Sequence, residues 1–217
     1  SAMLDGIELV GLPESALSRV RAEKIGFVFQ QPLTALTPHR TVQQHLQEAA
    51  MQAGGARPDK AAMVAMLDAV GLSRPEERLA QYPHRLSGGE RQRVLIAAAL
   101  AHSPRYLIAD EPVSALDAAL RGEIMALLVR LCRERGMAML LVSHDRAFLN
   151  NLVTSTLIMD GNGNAKEYVG GYDDWQKQVD VALASKPTPK PASTTQTESK
   201  ADSKPAVRKL SYNEKRE

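Results

Sequence analysis

The sequence predicts an α/β fold built on an open sheet, with a helical subdomain and a disordered C-terminal tail. Three observations predict it. Short apolar runs at Ile25–Phe29, Tyr106–Ala109 and Met137–Val142 read as strands, each followed by polar or acidic residues. Between them lie segments of helical character, above all Val94–Leu100, apolar all round, and Ala118–Arg135, which ends at Gly136. From Ser185 to Val207 the chain is rich in Pro, Thr, Ser and Lys, a composition that cannot repay its ordering entropy.

Taken in order, Leu4–Val20 opens as a short extended piece and turns helical near Glu14–Arg21. The strand at Ile25–Phe29 runs into Gln30, Gln31 and Pro32. Thr41–Gly71 is helical in character, and Gly54, Gly55 and Pro58 break it into two helices. Val64, Leu67, Val70 and Leu72 give the second an apolar face, and Met63 and Met66 read as packing residues. His39, His45, His84 and His102 lack metal-ligand spacing and read as ordinary polar positions.

The stretch Leu86–Asp145 carries the chemistry. Ser87 and Glu90 stand at capping-box spacing, and Gly88 and Gly89 let the backbone approach a ligand closely, so a helix beginning here is an anion site. The strand at Tyr106–Ala109 then delivers Asp110 and Glu111 to its C-terminal end, where open α/β sheets place their ligands. Two adjacent carboxylates can divide the labour, one holding a hydrated Mg²⁺ and the other polarising an attacking water. The strand at Met137–Val142 presents Ser143, His144 and Asp145.

Composition bounds the reading without deciding it. The 217 residues hold 27 Lys plus Arg against 25 Asp plus Glu, a net charge of +2 that gives no general argument for nucleic acid. The single cysteine, Cys132, excludes an internal disulfide and fits a reducing compartment. No apolar run reaches the roughly 18 residues of a membrane span, and no signal peptide opens the chain. These features lead us to expect a cytoplasmic protein whose place at the inner face of a membrane would come through a partner.

In this order and spacing, "LSGGERQR", "YLIADEP", "SALD" and "LLVSHD" resemble the signature motif, Walker B, D-loop and H-loop of an ATP-binding cassette (ABC) ATPase domain. "IGFVFQQPLTALTP" resembles the Q-loop, particularly that of peptide and nickel importers, and Thr41–Gly71 the helical subdomain that docks on the membrane permease subunits. The resemblance implies ATP and Mg²⁺ as cofactors and a head-to-tail dimer with a second ABC ATPase domain. It further implies that Ser87, Gly88 and Gly89 cradle the γ-phosphate of the partner's nucleotide, that Asp110 holds Mg²⁺ through water and that Glu111 is the general base. His144 would bind the γ-phosphate and orient the water, Gln30 would sense Mg²⁺, and Asp117 would link the two sites.

After His144 the resemblance changes: "HDRAFLNN", "DGNGNAKEYVGGYDDWQKQ" and "KLSYNEKRE" are similar to the end of the second cassette of ABC-F proteins, the soluble branch acting on ribosomes or nucleic acid. Thr156–Met159 and Lys166–Val169 read as a hairpin around Gly161–Asn164, followed by an amphipathic helix at Tyr172–Leu183. The family's phosphate loop is absent, since no GxxxxGK followed by Ser or Thr occurs in the sequence. Either the N-terminal third is missing or two ABC branches are joined, and the change near His144 favours the second. The expected partition is an ATPase-core remnant at 1–32, a helical subdomain at 33–85, the core at 86–184 and a disordered tail at 185–217.

Overall fold

The computed structural model describes residues 2–30, 35–52, 54–159 and 161–184, the last four of them as backbone alone. The expected linker at 185–207 and the Gln31–Pro32 part of the Q-loop lie outside the described residues. The chain divides into two compact units, with the boundary between Val153 and Thr154.

In the first unit, β1 (Met3–Leu4) and β2 (Ile7–Glu8) form a two-residue hairpin whose turn, Asp5–Gly6, has positive φ at both positions. Next come α1 (Glu14–Lys24) and β3 (Ile25–Val28), then α2 (Val42–Gln52) and α3 (Lys60–Ala69). Asp59 caps α3 by accepting from the Ala62 amide. A short helix, α4 (Pro75–Leu79), and a 3₁₀ turn (Pro83–Arg85) lead into α5 (Gly88–Ala99). Then follow β4 (Tyr106–Asp110), α6 (Ala118–Arg135), β5 (Ala138–Val142) and α7 (Arg146–Leu152).

Strands β3, β4 and β5 form one parallel sheet in that order, with Phe27 beside Ile108 and Ile108 beside Leu140. One face is packed. Val28, Leu107 and Ala109 are fully buried and join a core completed by Val94 and Ile96 of α5 and Ile124, Leu128 and Leu131 of α6. The core extends to Leu46 of α2 and to Met63 and Leu67 of α3, so Met63 is a packing residue as its position predicts. Gly26 makes the close approach possible: a Cβ there would lie 2.5 Å from the Ala99 carbonyl oxygen and 3.0 Å from Pro104 Cγ.

The opposite face is open. Phe27, Leu140 and Val142 are 37%, 50% and 48% exposed, and Phe29, one residue past β3, is 50% exposed with its ring 4.4 Å from that of Phe27. Together these side chains make an exposed apolar patch on that face of the sheet.

The second unit pairs β6 (Ser155–Met159) with β7 (Ala165–Val169) in antiparallel register, and α8 (Tyr172–Ala184) packs on β7. Both elements expected after His144 are therefore present. Tyr172 and Trp175 meet edge to face at the start of α8.

Candidate functional site

The C-terminal end of the parallel sheet gathers three residues from distant parts of the sequence. Glu111, the residue after β4, accepts a 2.8 Å hydrogen bond at Oε2 from Gln30 Nε2, which stands just beyond β3. Its Oε1 lies 3.1 Å from His144 Nε2, just beyond β5. Parallel strands in register place their next residues side by side, which explains why positions 81 apart in sequence meet. Asp110 is the last residue of β4 itself, opposite Val142, so both carboxylates sit at the sheet's edge.

Glu111 is held in an uncommon backbone conformation, with φ +43°. For an unbranched side chain without a local hydrogen bond of the Asn or Asp kind this costs energy, and strain of this sort persists only where the surroundings over-determine it. Here they do so through both backbone groups. The Glu111 amide donates to the Val142 carbonyl at 2.9 Å, and the Glu111 carbonyl accepts from Ser114 Oγ at 3.1 Å. Its side chain is 16% exposed, whereas the His144 ring is 97% exposed. The arrangement thus fixes the carboxylate and leaves the imidazole free to meet a ligand.

The second cluster surrounds the start of α5. Ser87 and Glu90 form the expected capping box: the Glu90 amide donates to Ser87 Oγ at 3.2 Å, and Glu90 Oε2 accepts from the Ser87 amide at 2.8 Å. The two glycines differ. A Cβ on Gly88 would meet nothing nearer than Leu116 Cδ2 at 3.9 Å, so its side is open to a ligand. One on Gly89 would lie 2.6 Å from Leu120 Cδ2, so a larger residue there would force the Leu120 side chain of α6 to shift. Asp117 caps α6 by accepting from the Leu120 amide at 2.9 Å, which adds a structural duty to the linking role its motif suggests.

Among the described residues, no hydrogen bond joins Ser87, Gly88 or Gly89 to Gln30, Glu111 or His144. The structure brings Gln30, Asp110, Glu111 and His144 to one place and Ser87, Gly88, Gly89 and Asp117 to another.

Two contacts at these clusters escaped the sequence reading. Ser114 opens the "SALD" motif, but its hydroxyl bond back to the Glu111 carbonyl, three residues earlier, was not anticipated although the spacing allows it. Arg78, on α4, pairs with Glu90 at 2.6 Å, and no sequence signal points to it. Burial opposes ionisation of Glu90, but the Ser87 hydrogen bonds and the Arg78 guanidinium outweigh it and hold the carboxyl below the usual glutamate range.

The remaining titratable groups of interest are structural. His45 is buried and its Nε2 is 3.1 Å from the Thr37 carbonyl, while burial lowers the pKa of both His45 and His102. Among the described residues His102 Nε2 is buried without a partner, which a neutral ring tolerates as a bare acceptor. Burial pushes the Cys132 thiol up, away from the reactive thiolate. Among the described residues, no group of three or more His, Cys, Asp or Glu could hold a metal ion unaided.

The chain is similar to known proteins in sequence and in fold. A profile of the ABC transporter family matches residues 4–114. The oligopeptide transport ATP-binding protein OppD of Haemophilus influenzae is 40% identical over 170 residues, covering 77% of this chain and 52% of that protein. OppD of Salmonella typhimurium is 41% identical over 181 residues, covering 82% and 54%. The chain therefore spans about half the length of the curated relatives it matches. Among solved structures, a dimeric post-hydrolysis state of the ATP-binding cassette MJ0796 bound to ADP and Pi superposes with a TM-score of 0.63 at 31% identity, covering 76% of this chain and 71% of that one. From the motifs, the sheet-edge cluster and these likenesses together, the chain belongs to the ABC transporter family as part of an ATP-binding cassette.

Proposed function

We propose that the chain contributes to the MgATP-hydrolysing cassette of an importer, with peptides or nickel as candidate cargo, and that its two clusters act on two different nucleotides. The observation that carries this reading is the grip on Glu111: a strained, doubly tethered carboxylate between Gln30 and His144 at the edge of a parallel sheet. A general base must be fixed before its substrate arrives, and this one is.

The donor set suits Mg²⁺ held in part by substrate. Asp110 and Glu111 offer hard oxygen ligands, and a magnesium ion is ordinarily held by one or two carboxylates, water and phosphate oxygens rather than by a protein cage. Bound there, Mg²⁺ would neutralise charge developing on the β- and γ-phosphate oxygens. Asp110 would hold the ion through water and Gln30 would report on it. Glu111 takes the proton of the attacking water, and His144, exposed and 3.1 Å away, orients that water and contacts the γ-phosphate. The open side of Gly88 and the start of α5 provide the cradle for a γ-phosphate bound by a second cassette, and Asp117 joins the sites. A head-to-tail dimer follows, a reading supported by the dimeric solved relative.

The partition into a core remnant at 1–32, a helical subdomain at 33–85 and a core at 86–184 belongs to the same proposal. A groove of about 510 Å³, lined by Phe29, Leu36, His45, Ala49 and Leu95 among others, lies between β3, α2 and α5 and is a natural seat for a permease subunit. Among the described residues no helix is long and apolar enough to cross a membrane. The importer reading itself places the chain at the cytoplasmic face, through that partner. A second reading, a soluble ABC-F factor on ribosomes or nucleic acid, is supported by the separate unit that begins at Thr154. Affinity capture from native cells distinguishes them: permeases support the importer, whereas ribosomal particles or nucleic acid overturn it in favour of ABC-F.

The 217-residue chain alone should not bind MgATP in the micromolar range, because it has no GxxxxGK loop. Losing three charge-assisted hydrogen bonds at roughly 1.5–3 kcal/mol each weakens binding by at least about three decades. Isothermal titration checks this. Micromolar binding with turnover that disappears in Glu111→Gln would mean that another segment replaces the cradle.

A further inference from the structure

We propose that Arg78 is a positioning residue for the Ser87–Gly89 turn, making the shape of the phosphate cradle conditional on the placement of the helices before it. The proposal rests on the reading of that turn as an anion cradle. Its physical basis is the division of labour between the two oxygens of Glu90. Oε2 accepts from the Ser87 amide at 2.8 Å and closes the capping box, while Oε1 is held by Arg78 Nη2 at 2.6 Å. A glutamate at the third helical position can swing into solvent and open such a box; an arginine holding its second oxygen prevents this.

Arg78 is itself well fixed. Its side chain is 15% exposed, Nη1 donates to Gln81 Oε1 at 3.1 Å, and Nε is buried with no partner among the described residues. A buried donor left unpaired opposes stability, so this guanidinium is not placed where its own hydrogen bonding is best served. What it does serve is Glu90. The helix that carries it, α4, starts from Arg74 at φ +52° and drives Leu79, 2% exposed, into the core beside α2 and α3. Arg78 therefore moves only as that layer moves, and the chain Arg78–Glu90–Ser87 links the layer to the first amides of α5. The helical ladder leaves the N–H groups of Gly88 and Gly89 without intrahelical partners, and it is these donors that the strut would hold in place.

Amide hydrogen exchange on the 217-residue chain without nucleotide tests the strut. In Arg78→Gln, exchange at Ser87–Arg91 should rise about tenfold while β4 and α6 keep their protection, and Arg78→Lys should restore part of the difference, because an ammonium can pair with Glu90 but not also reach Gln81. Should Arg78→Gln not fold, Glu90→Gln serves instead, since it keeps an acceptor for Ser87 and removes only the ion pair. The same local rise is expected there. Unchanged exchange at Ser87–Arg91, or a uniform rise that Arg78→Lys does not reduce, would overturn the strut and leave the cradle standing. A second arm adds an MgATP-loaded cassette that has a phosphate loop. Absence of new protection at Ser87–Gly89 in the unmodified chain would overturn the cradle, and the proposal with it, even where the first arm succeeds.

Discussion

At the N-terminal end of β4, Asp5 sits at φ +49°, accepts hydrogen bonds from Lys24 Nζ at 2.8 Å and Tyr106 Oη at 2.6 Å, and forms an ion pair with Arg105 Nη1 at 2.9 Å. At the other end of the same strand, Glu111 sits at φ +43° and is met by the Gln30 amide and the His144 imidazole. Both are carboxylates in the left-handed region, yet they are placed there for opposite reasons. Asp5 precedes Gly6 in a two-residue hairpin turn, where aspartate adopts positive φ cheaply and two cations saturate its charge. Glu111 has no such turn to excuse its backbone. Among the described residues its carboxylate contacts Gln30 and His144 and pairs with no lysine or arginine. The N-terminal end is a finished clasp, whereas under the proposed function the C-terminal end would receive a cation and a reacting water.

If this contrast is right, changes at the first end should alter stability alone. The largest effect is expected of Gly26→Ala near the start of β3. Its Cβ would lie 2.5 Å from a backbone oxygen that cannot swing aside, so urea unfolding should show a loss of about 3 kcal/mol with the slope unchanged. A neutral result would mean that β3 and α5 are not in contact there. Next in size, Glu111→Gly should raise stability by about 1 kcal/mol by releasing the left-handed strain. A loss instead would show that the Gln30 and His144 contacts are structural, which would erase the distinction between the ends.

Smallest is a pH effect at the clasp. Lys24 first and then Tyr106 hold the Asp5 carboxyl below its ordinary value of 3.8. A group whose folded pKa is depressed stabilises the fold above its unfolded value and loses that contribution as pH falls through the folded one. The unmodified chain should therefore lose stability between about pH 4 and the lowered value, and Asp5→Asn should lack that part of the acid limb. Thermal melts across this range check it, and identical acid limbs would show the clasp to be silent.

Much of this contrast was legible in the sequence, but only from one side. The helix Ala118–Arg135 ends where Gly136, at φ +62°, stops it, and the capping box at Ser87 and Glu90 forms as its spacing predicts, because these signals are local. The strand delivering Asp110 and Glu111 was equally plain. The clasp was not, because Asp5 and Tyr106 are 101 positions apart and nothing in either neighbourhood announces the pairing. The same limit hid α4, five residues long and too short for periodicity to register, and with it Arg78. Gly89 reads as a ligand-facing glycine, and only the position of Leu120 shows that a side chain there would also crowd α6. Motifs point to the groups for which we propose chemical roles, whereas long-range packing determines how they are held.

The most direct test of the account is phosphate release by a protein that carries this chain together with a phosphate loop, measured with and without Glu111→Gln. The substitution keeps the size and hydrogen bonding of the side chain and removes the base. Turnover should fall by roughly 10² to 10⁴ while ATP binding is retained. Loss of binding and turnover together would contradict the assignment and make Glu111 a structural group like Asp5.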